Sequence, residues 1–197
     1  MKAMIKQFTG DINGPVSRDF VNLYKKVFAE PPYFESYEDC WIFENIWHYH
    51  LVKGCIFLAF DKDKLIGFGC GVGMDKVEKF LPQSSALDPL FKVKCFLRDE
   101  ASEYINGNSF FYMSEIGVDS KYRRQGVGGL LITRRWLWAA HNNYKNYLMR
   151  TDELNSNSRS LYENLGAEIL PIKQDVSDHA AIINSASKTR IYLHGSL

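Results

Sequence analysis

Two arginines and three glycines fall within the eight residues YRRQGVGG, from Tyr122 to Gly129. They separate a strand-like stretch from a helix-like one, so we expect them to begin a helix, where the first backbone N–H groups lack partners and the helix dipole is positive. The glycines remove β-carbons that would hold a pyrophosphate away from those groups, and Lys121, Arg123 and Arg124 add positive charge. The pattern favours phosphate binding over a tight turn with solvated arginines.

The two common nucleotide-binding loops do not fit this segment. A Walker A loop needs Gly-Lys followed by Ser or Thr, which the segment lacks. The dinucleotide fingerprint needs a glycine at position 131, where Leu131 stands. Neither motif is present.

The longer segment EIGVDSKYRRQGVG resembles a motif of the GNAT superfamily of acyl-CoA-dependent N-acetyltransferases. The family signature is Arg or Gln, two residues, Gly, one residue, then Gly or Ala. Arg123, Gly126 and Gly128 satisfy it. The family also places a valine a few residues upstream, on a strand whose splayed end holds the pantetheine arm, and Val118 matches that valine.

A second GNAT element supports the resemblance. It consists of Asn, two residues, a small residue, Leu-Tyr and a later Gly, and NSNSRSLYENLGA matches it from Asn155 to Ala167. Because the two elements occur in the right order, separated by a helix and a strand, the resemblance is specific over about residues 109–167.

The whole chain alternates strand-like and helix-like patterns, which predicts an α/β (α+β) fold. The resemblance implies a GNAT-like mixed, strongly twisted central sheet of about six to seven strands flanked by helices, in one N-acetyltransferase domain over residues 1–197. The predicted strands are 4–9, 54–60, 64–73, 109–118, 146–151, 167–172 and 189–195. The predicted helices start at Ser17, ending before Pro31 and Pro32, and cover 36–53, 87–100, 126–141 and 155–165.

The resemblance implies that the ligand of the glycine segment is acetyl-CoA, acting as co-substrate. We expect no metal, because His48 and His50, two residues apart on a predicted helix, do not face one another. The resemblance also implies that the backbone N–H near Val118 is the donor to the oxyanion. The residues that it assigns to the cofactor are Ile116, Val118, Arg123, Arg124, Gln125, Gly126, Val127, Gly128, Gly129, Asn155 and Ser158.

Acetyl transfer from a thioester to an amine ends with a thiolate that needs a proton. Tyr162 is the predicted donor, because a tyrosine with an ordinary pKa of about 10 is protonated at neutral pH. On a helix, Tyr162 shares a stripe with Ser158 and Leu165. The alternative is a partly buried core tyrosine with its hydroxyl in water, and the resemblance favours the catalytic role.

Glu115 is the candidate general base. Strand alternation predicts that it shares one face with Phe111 and Met113, where desolvation would raise the pKa of its carboxyl. Resembling enzymes often carry an acid three residues before the valine. A glutamate at a solvent-facing or salt-bridged position, with a water relay as the base, is an equally weighted alternative.

Composition and charge limit the binding partners and the cellular compartment that we expect for the protein. A formal net charge of +1 and a pI near 7.7 argue against a nucleic-acid or membrane partner. The charged residues among the first twenty argue against a signal peptide, and four widely spaced cysteines suit a reducing compartment without a structural zinc site. We therefore expect a cytoplasmic protein, in an oligomeric state that the sequence does not fix, a homodimer being one option.

The acceptor amine is suggested by charge alone. Five acids, and no Lys or Arg, fall between Val27 and Val52, and they could draw a cationic amine to a site opposite the basic cofactor end. A solvated acidic helix face explains them equally well. The five are Glu30, Glu35, Glu38, Asp39 and Glu44.

Three functions follow from these residues. The first is an acetyl-CoA-dependent N-acetyltransferase acting on a small cationic amine. The second acetylates the N-terminus or a lysine of a protein or peptide. The third is a module that senses acyl-CoA without catalysis, against which the presence of Tyr162 argues, since binding alone needs no thiolate acid.

Overall fold

The computed structural model describes residues 3–81, 85–105, 110–177 and 188–197. Its described strands form a seven-stranded sheet in the order β1-β2-β3-β4-β5-β7-β6. Only β4 and β5 pair in parallel, and the other neighbours are antiparallel. The strands are β1 Met4–Gln7, β2 Gly54–Asp61, β3 Lys64–Gly73, β4 Phe110–Val118, β5 Asn146–Asp152, β6 Glu168–Asp175 and β7 Thr189–Ser196.

Helices cover both faces of this sheet, which confirms the predicted α/β architecture with flanking helices. They are α1 Pro15–Phe28, α2 Asp39–Ile42, a π-helical segment Phe43–His48, α3 Tyr49–Lys53, α4 Phe91–Glu100, α5 Val127–His141 and α6 Ser156–Asn164. The helix predicted over 36–53 thus begins later and contains a π-helical segment, and the one predicted over 87–100 begins at Phe91. The predicted start of β4, Ser109, lies outside the described residues.

The two faces have separate cores. On one face α5 packs against β2, β4, β5 and β7, with Leu131 and Ile132 of the helix fully buried. On the other face α1 and the helices after it pack against β2 and β3, while α4 covers β4 and β7. A ligand that enters between β4 and β5 can therefore meet different chemistry on the two faces.

Strands β4 and β5 separate before they end. Their parallel pairing stops at Met113 and Met149, although β4 continues to Val118 and β5 to Asp152. The N–H of Asp119 donates to the carbonyl of Ile66 at 2.9 Å, on the β3 side. By alternation the N–H groups of Ile116 and Val118 point to the opposite edge, into the gap.

A β-bulge in β4 changes which side chains face the gap. Cys70 of β3 pairs with Glu115 and Val72 pairs with Tyr112, so β4 has one residue more than β3 between these pairs. Phe111 and Met113 pack in the α5-side core, whereas Glu115 contacts α1 on the other face. The prediction that Glu115 shares a face with Phe111 and Met113 is wrong, because the extra residue reverses the alternation.

The guanidinium of Arg135, on α5, fills the place where the bulge interrupts the ladder. It is 1% exposed and donates to the carbonyls of Cys70 and Glu115 at 2.9 and 3.1 Å. Gly69 leaves room for it, because a β-carbon there would stand 2.9 Å from Nε of Arg135. The sequence pattern predicts Arg134 and Arg135 on a solvated helix face. That is wrong for Arg135, which is buried, and Arg134 is exposed.

We expect Arg135→Met to lower the free energy of unfolding by about 2 kcal/mol or more, because two buried strand carbonyls lose a charged donor. Urea denaturation measures the change. The matched control is Arg134→Met, an exposed neighbour that should stay within about 0.5 kcal/mol of the parent. Equal stability of the two variants would show that the bulge holds without Arg135.

Candidate active site

A cleft of about 1160 Å³ opens where β4 and β5 separate, and it is lined by both sequence motifs. On one side lie the start of α5 and the start of α6, and on the other lie α1 and the loop that follows it. The predicted site residues that line it are Glu115, Ile116, Val118, Arg123, Arg124, Gly126, Gly128, Gly129, Asn155, Ser158 and Tyr162.

Two of the residues predicted to bind cofactor are not among the lining residues. The side chain of Val127 is buried in the α5-side core. Gln125 is exposed, and its amide donates to the carbonyl of Lys121 at 3.2 Å. Neither side chain faces the cleft.

The glycine turn presents bare backbone to the cleft. Gly126 caps α5 in the left-handed conformation with φ of 82°, and the first helical bond runs from the N–H of Leu130 to the carbonyl of Gly126 at 3.1 Å. The N–H groups of residues 127–129 therefore have no acceptor within the helix. A β-carbon added at Gly126 or Gly129 would meet nothing within 4 Å. This open space and these donors fit a pyrophosphate.

The two arginines of the turn have partners in the protein. Arg123 donates from Nε to the carbonyl of Val118 at 2.9 Å and forms an ion pair with Glu30. Arg124 donates to the side-chain oxygen of Asn157 at 2.6 Å. Arg123 thus ties the end of β4 to the turn, and its charge is partly neutralised.

Glu115 lies half-buried in the cleft beside α1. The hydroxyl of Tyr24 donates to its carboxylate at 3.2 Å. Burial raises the pKa of Glu115 to about 7, while the nearby positive charge of Arg150 opposes that rise. The predicted direction of the shift is confirmed, although the face is not the predicted one. A carboxyl with this pKa can take up or release a proton at neutral pH.

Tyr162, on α6, is 3% exposed and lines the cleft. Its side chain is hydrogen-bonded to Ser158, one turn earlier on the same helix. Burial, with a smaller effect of the neighbouring Tyr33, raises the pKa of Tyr162 above its ordinary value. The hydroxyl is therefore protonated at neutral pH and can donate.

Asn155 connects the two sides of the cleft. Its side-chain oxygen accepts from the N–H of Ser158 at 3.1 Å, which caps α6, and its amide nitrogen donates to the hydroxyl of Tyr33 at 3.1 Å. The same hydroxyl is 3.2 Å from the hydroxyl of Thr151, on β5. Both polar groups of the Asn155 side chain are therefore engaged within the protein, where they cap α6 and hold Tyr33.

A Ser–His pair at the bulge was not predicted from the sequence. The Nδ1 atom of His50 lies 2.7 Å from the carbonyl of Ile46, and its Nε2 lies 2.6 Å from the hydroxyl of Ser114. Burial lowers the pKa of His50 to about 4, so the ring is neutral at pH 7. A histidine on a helix gives no signal of a serine 64 residues away.

The five acids between Val27 and Val52 do not form one surface. Glu30 pairs with Arg123, Asp39 pairs with Lys25, and only Glu35 lines the cleft. Glu35 is itself bound to Arg190, and Glu38 and Glu44 are exposed. The side of the cleft opposite α5 and α6 instead has an aromatic wall made of Tyr24, Phe28, Tyr33, Tyr37 and Trp41.

No group of three or more His, Cys, Asp or Glu side chains in the described ranges could hold a metal ion. No helix in those ranges is long and apolar enough to cross a bilayer.

Solved structures with similar folds support the architecture. Ard1 from Thermoplasma volcanium gives a TM-score of 0.63 at 14% identity, covering 99% of this chain and 97% of that one. The ribosomal-protein-S18-alanine N-acetyltransferase from Escherichia coli gives 0.63 at 13% identity, covering 99% and 94%. A GNAT family acetyltransferase from Elizabethkingia anophelis with acetyl-CoA bound gives 0.60 at 16% identity, covering 99% and 98%. At these identities the likeness shows the fold.

The family assignment rests on the sequence itself. No curated protein matches the chain. A model of the acetyltransferase (GNAT) family matches residues 22–167, a span that contains β2 to β5, the glycine turn and Tyr162. The chain therefore belongs to the GNAT acetyltransferase family.

Proposed function

We propose that the protein transfers the acetyl group of acetyl-CoA to the primary amine of a small cationic molecule by direct attack. One observation carries the proposal: a single cleft brings together an open glycine turn, a carboxyl whose pKa is about 7 and a buried tyrosine. The acetyl-CoA bound in the Elizabethkingia neighbour and the family match support the choice of co-substrate.

The residues of the turn fit the pyrophosphate of this co-substrate. The N–H groups of residues 127–129 would donate to its oxygens, and the empty space over Gly126 and Gly129 would admit them. When bound, acetyl-CoA supplies an acetyl group activated as a thioester. The N–H groups of Ile116 and Val118, at the unpaired edge of β4, extend the row of donors toward the centre of the sheet.

Glu115 would take the proton of the acceptor amine. A primary ammonium must lose a proton before its nitrogen can attack, and a carboxylate with a pKa near 7 is half ionised at neutral pH. The bond from Tyr24 fixes the orientation of the carboxylate. The N–H of Val118 faces the gap and would donate to the oxygen that becomes negative during attack.

Tyr162 would protonate the departing sulfur. Its hydroxyl is protonated, it lines the cleft, and Ser158 holds it by a hydrogen bond within α6. Base and acid thus come from opposite sides of the cleft, since Glu115 contacts α1 and Tyr162 belongs to α6. That separation suits a reaction in which one proton leaves as another arrives.

A protein or peptide acceptor is the second candidate. The similar fold of an enzyme named for the alanine of ribosomal protein S18, together with a cleft of about 1160 Å³, favours it. Parallel assays of free thiol release with a panel of small amines and a panel of peptides separate the two candidates, because each predicts turnover with one panel.

Replacement of Gly129 tests the cofactor site. We expect Gly129→Val to weaken acetyl-CoA binding at least 10-fold in calorimetry, because a branched side chain would occupy the open space beside the free N–H groups. Gly126 is less suitable, since its φ of 82° strains any other residue. The control is Leu130→Val, at the exposed next position. Unchanged affinity in a folded Gly129→Val protein leaves the glycines with a turn-forming role only.

The pH dependence tests the base. Because the carboxylate form of Glu115 is the active one and its pKa is about 7, kcat/KM should fall as the pH drops below about 7. Glu115→Gln should reduce turnover by roughly 10²-fold and remove this acidic limb. The exposed Glu38→Gln serves as the control and should keep the parent profile. A Glu115→Gln protein with the parent rate at every pH would assign proton removal to water or another group.

Removal of one hydroxyl tests the acid. Tyr162→Phe keeps the ring, so acetyl-CoA affinity should stay within about threefold, while single-turnover transfer should slow by roughly 10- to 10³-fold. Tyr147→Phe, at a tyrosine of equal burial outside the cleft, is the matched control and should transfer at the parent rate. Equal transfer rates in the two variants would make Tyr162 a core residue.

A further inference from the structure

Two arginines of neighbouring strands line the cleft, and they differ in their partners. Arg190, on β7, forms ion pairs with Asp152 and Glu35, so two carboxylates neutralise it. Arg150, on β5, donates from Nη1 to the side-chain oxygen of Gln174 at 3.0 Å and is hydrogen-bonded to Tyr192. Both of these partners are uncharged.

The guanidinium of Arg150 has N–H donors that its two partners do not use. An arginine has five N–H donors and stays protonated in proteins, whereas Gln174 and Tyr192 together accept only part of that set. Across the described part of the chain, no ion pair involves Arg150. A half-buried guanidinium that no carboxylate contacts is costly, and an anion that binds to it from solution would offset the cost.

The phosphates of CoA are not suited to be this anion. The open glycine turn belongs to α5, which packs on one face of the sheet. The partner of Arg150 on β7, Tyr192, belongs to the core that α4 covers on the opposite face. Arg150 therefore lies on the acceptor side, which also contains Glu115.

Arg150 and Glu115 form a pair of opposite charges that do not touch. They share the cleft without an ion pair, yet the charge of Arg150 acts on the carboxyl of Glu115. A ligand that lies between them would meet an acceptor for an ammonium at Glu115 and a planar, two-pronged donor at Arg150. An arginine fork matches a carboxylate with two parallel hydrogen bonds.

We propose that the acceptor is an amino acid, whose amine is received by Glu115 and whose carboxylate is bound by Arg150. The inference rests on the proposed acetyl transfer and narrows its acceptor from a small cationic amine to one that also carries a carboxylate. A peptide N-terminus, whose first carboxyl is an amide, would leave Arg150 unpaired. Arg150 is thus the residue that determines specificity for the free acid.

Binding of the reaction product tests the site without relying on catalysis. Calorimetry on the CoA-saturated protein would compare N-acetyl-L-amino acids, one for each side chain, with the matching N-acetyl amides. For at least one side chain we expect the acid to bind roughly 10- to 100-fold more tightly than its amide, the scale of a hydrogen bond to a charged group. Equal affinity of acid and amide for every side chain would overturn the proposal.

Variants of Arg150 test whether this residue causes the preference for the acid over the amide. Arg150→Gln should abolish the preference for the acid and leave amide binding within about threefold. Arg150→Lys keeps the positive charge but loses the planar, two-pronged guanidinium, so it should retain part of the preference for the acid. The control is Lys92→Gln. Lys92 is an exposed residue of α4 that also lines the cleft, and loss of its positive charge should leave the preference for the acid unchanged. If Arg150→Gln still prefers the acid, Arg150 does not bind the carboxylate. If a variant does not fold, the comparison of acid and amide binding in the parent protein still tests the proposal.

Turnover with the free amino acids separates this inference from the proposed function. Acid binding through Arg150 together with acetylation of that amino acid supports both. Acid binding through Arg150 without any acetylation removes the proposed transfer and retains the carboxylate site. Acetylation of amines and amino amides as readily as of amino acids retains the transfer and removes the role of Arg150.

Discussion

The site depends on one interruption of the sheet, the bulge in β4 that Arg135 stabilises. The extra residue turns Glu115 away from the α5-side core and toward α1, and it leaves carbonyls that a regular ladder would have paired. The buried guanidinium binds those of Cys70 and Glu115. Without the bulge, the carboxyl would lie among the apolar side chains of the α5-side core, away from α1.

The separation of β4 and β5 follows the bulge along the chain and gives the cleft its two kinds of wall. Past Met113 no described strand pairs with the edge of β4 that faces β5, so the N–H groups along that edge are available to a ligand. The α5 side offers backbone donors and open space, which suit phosphate. The α1 side offers rings, a carboxyl and an arginine, which suit a small polar molecule with an apolar part.

The features predicted correctly from the sequence are local. The glycine turn and the order of strands and helices depend on residues close together in the chain, and the two motifs identified the family. Features that need a partner distant in the chain were not predicted. Alternation along β4 cannot reveal a bulge, since a bulge is defined by the register with β3. An arginine on a helix looks solvated until the carbonyl of Cys70, 65 residues away, is brought to it.

The hydrogen bond between Asn155 and Tyr33 connects the two walls of the cleft directly. The amide that caps α6 also binds the hydroxyl of Tyr33, which lies in the loop after α1, 122 residues away in the chain. Movement of that loop away from α6 would break this hydrogen bond, which Asn155 makes at the N-terminus of the helix that carries Tyr162. The loop after α1 and the start of α6 therefore share one side chain as their anchor.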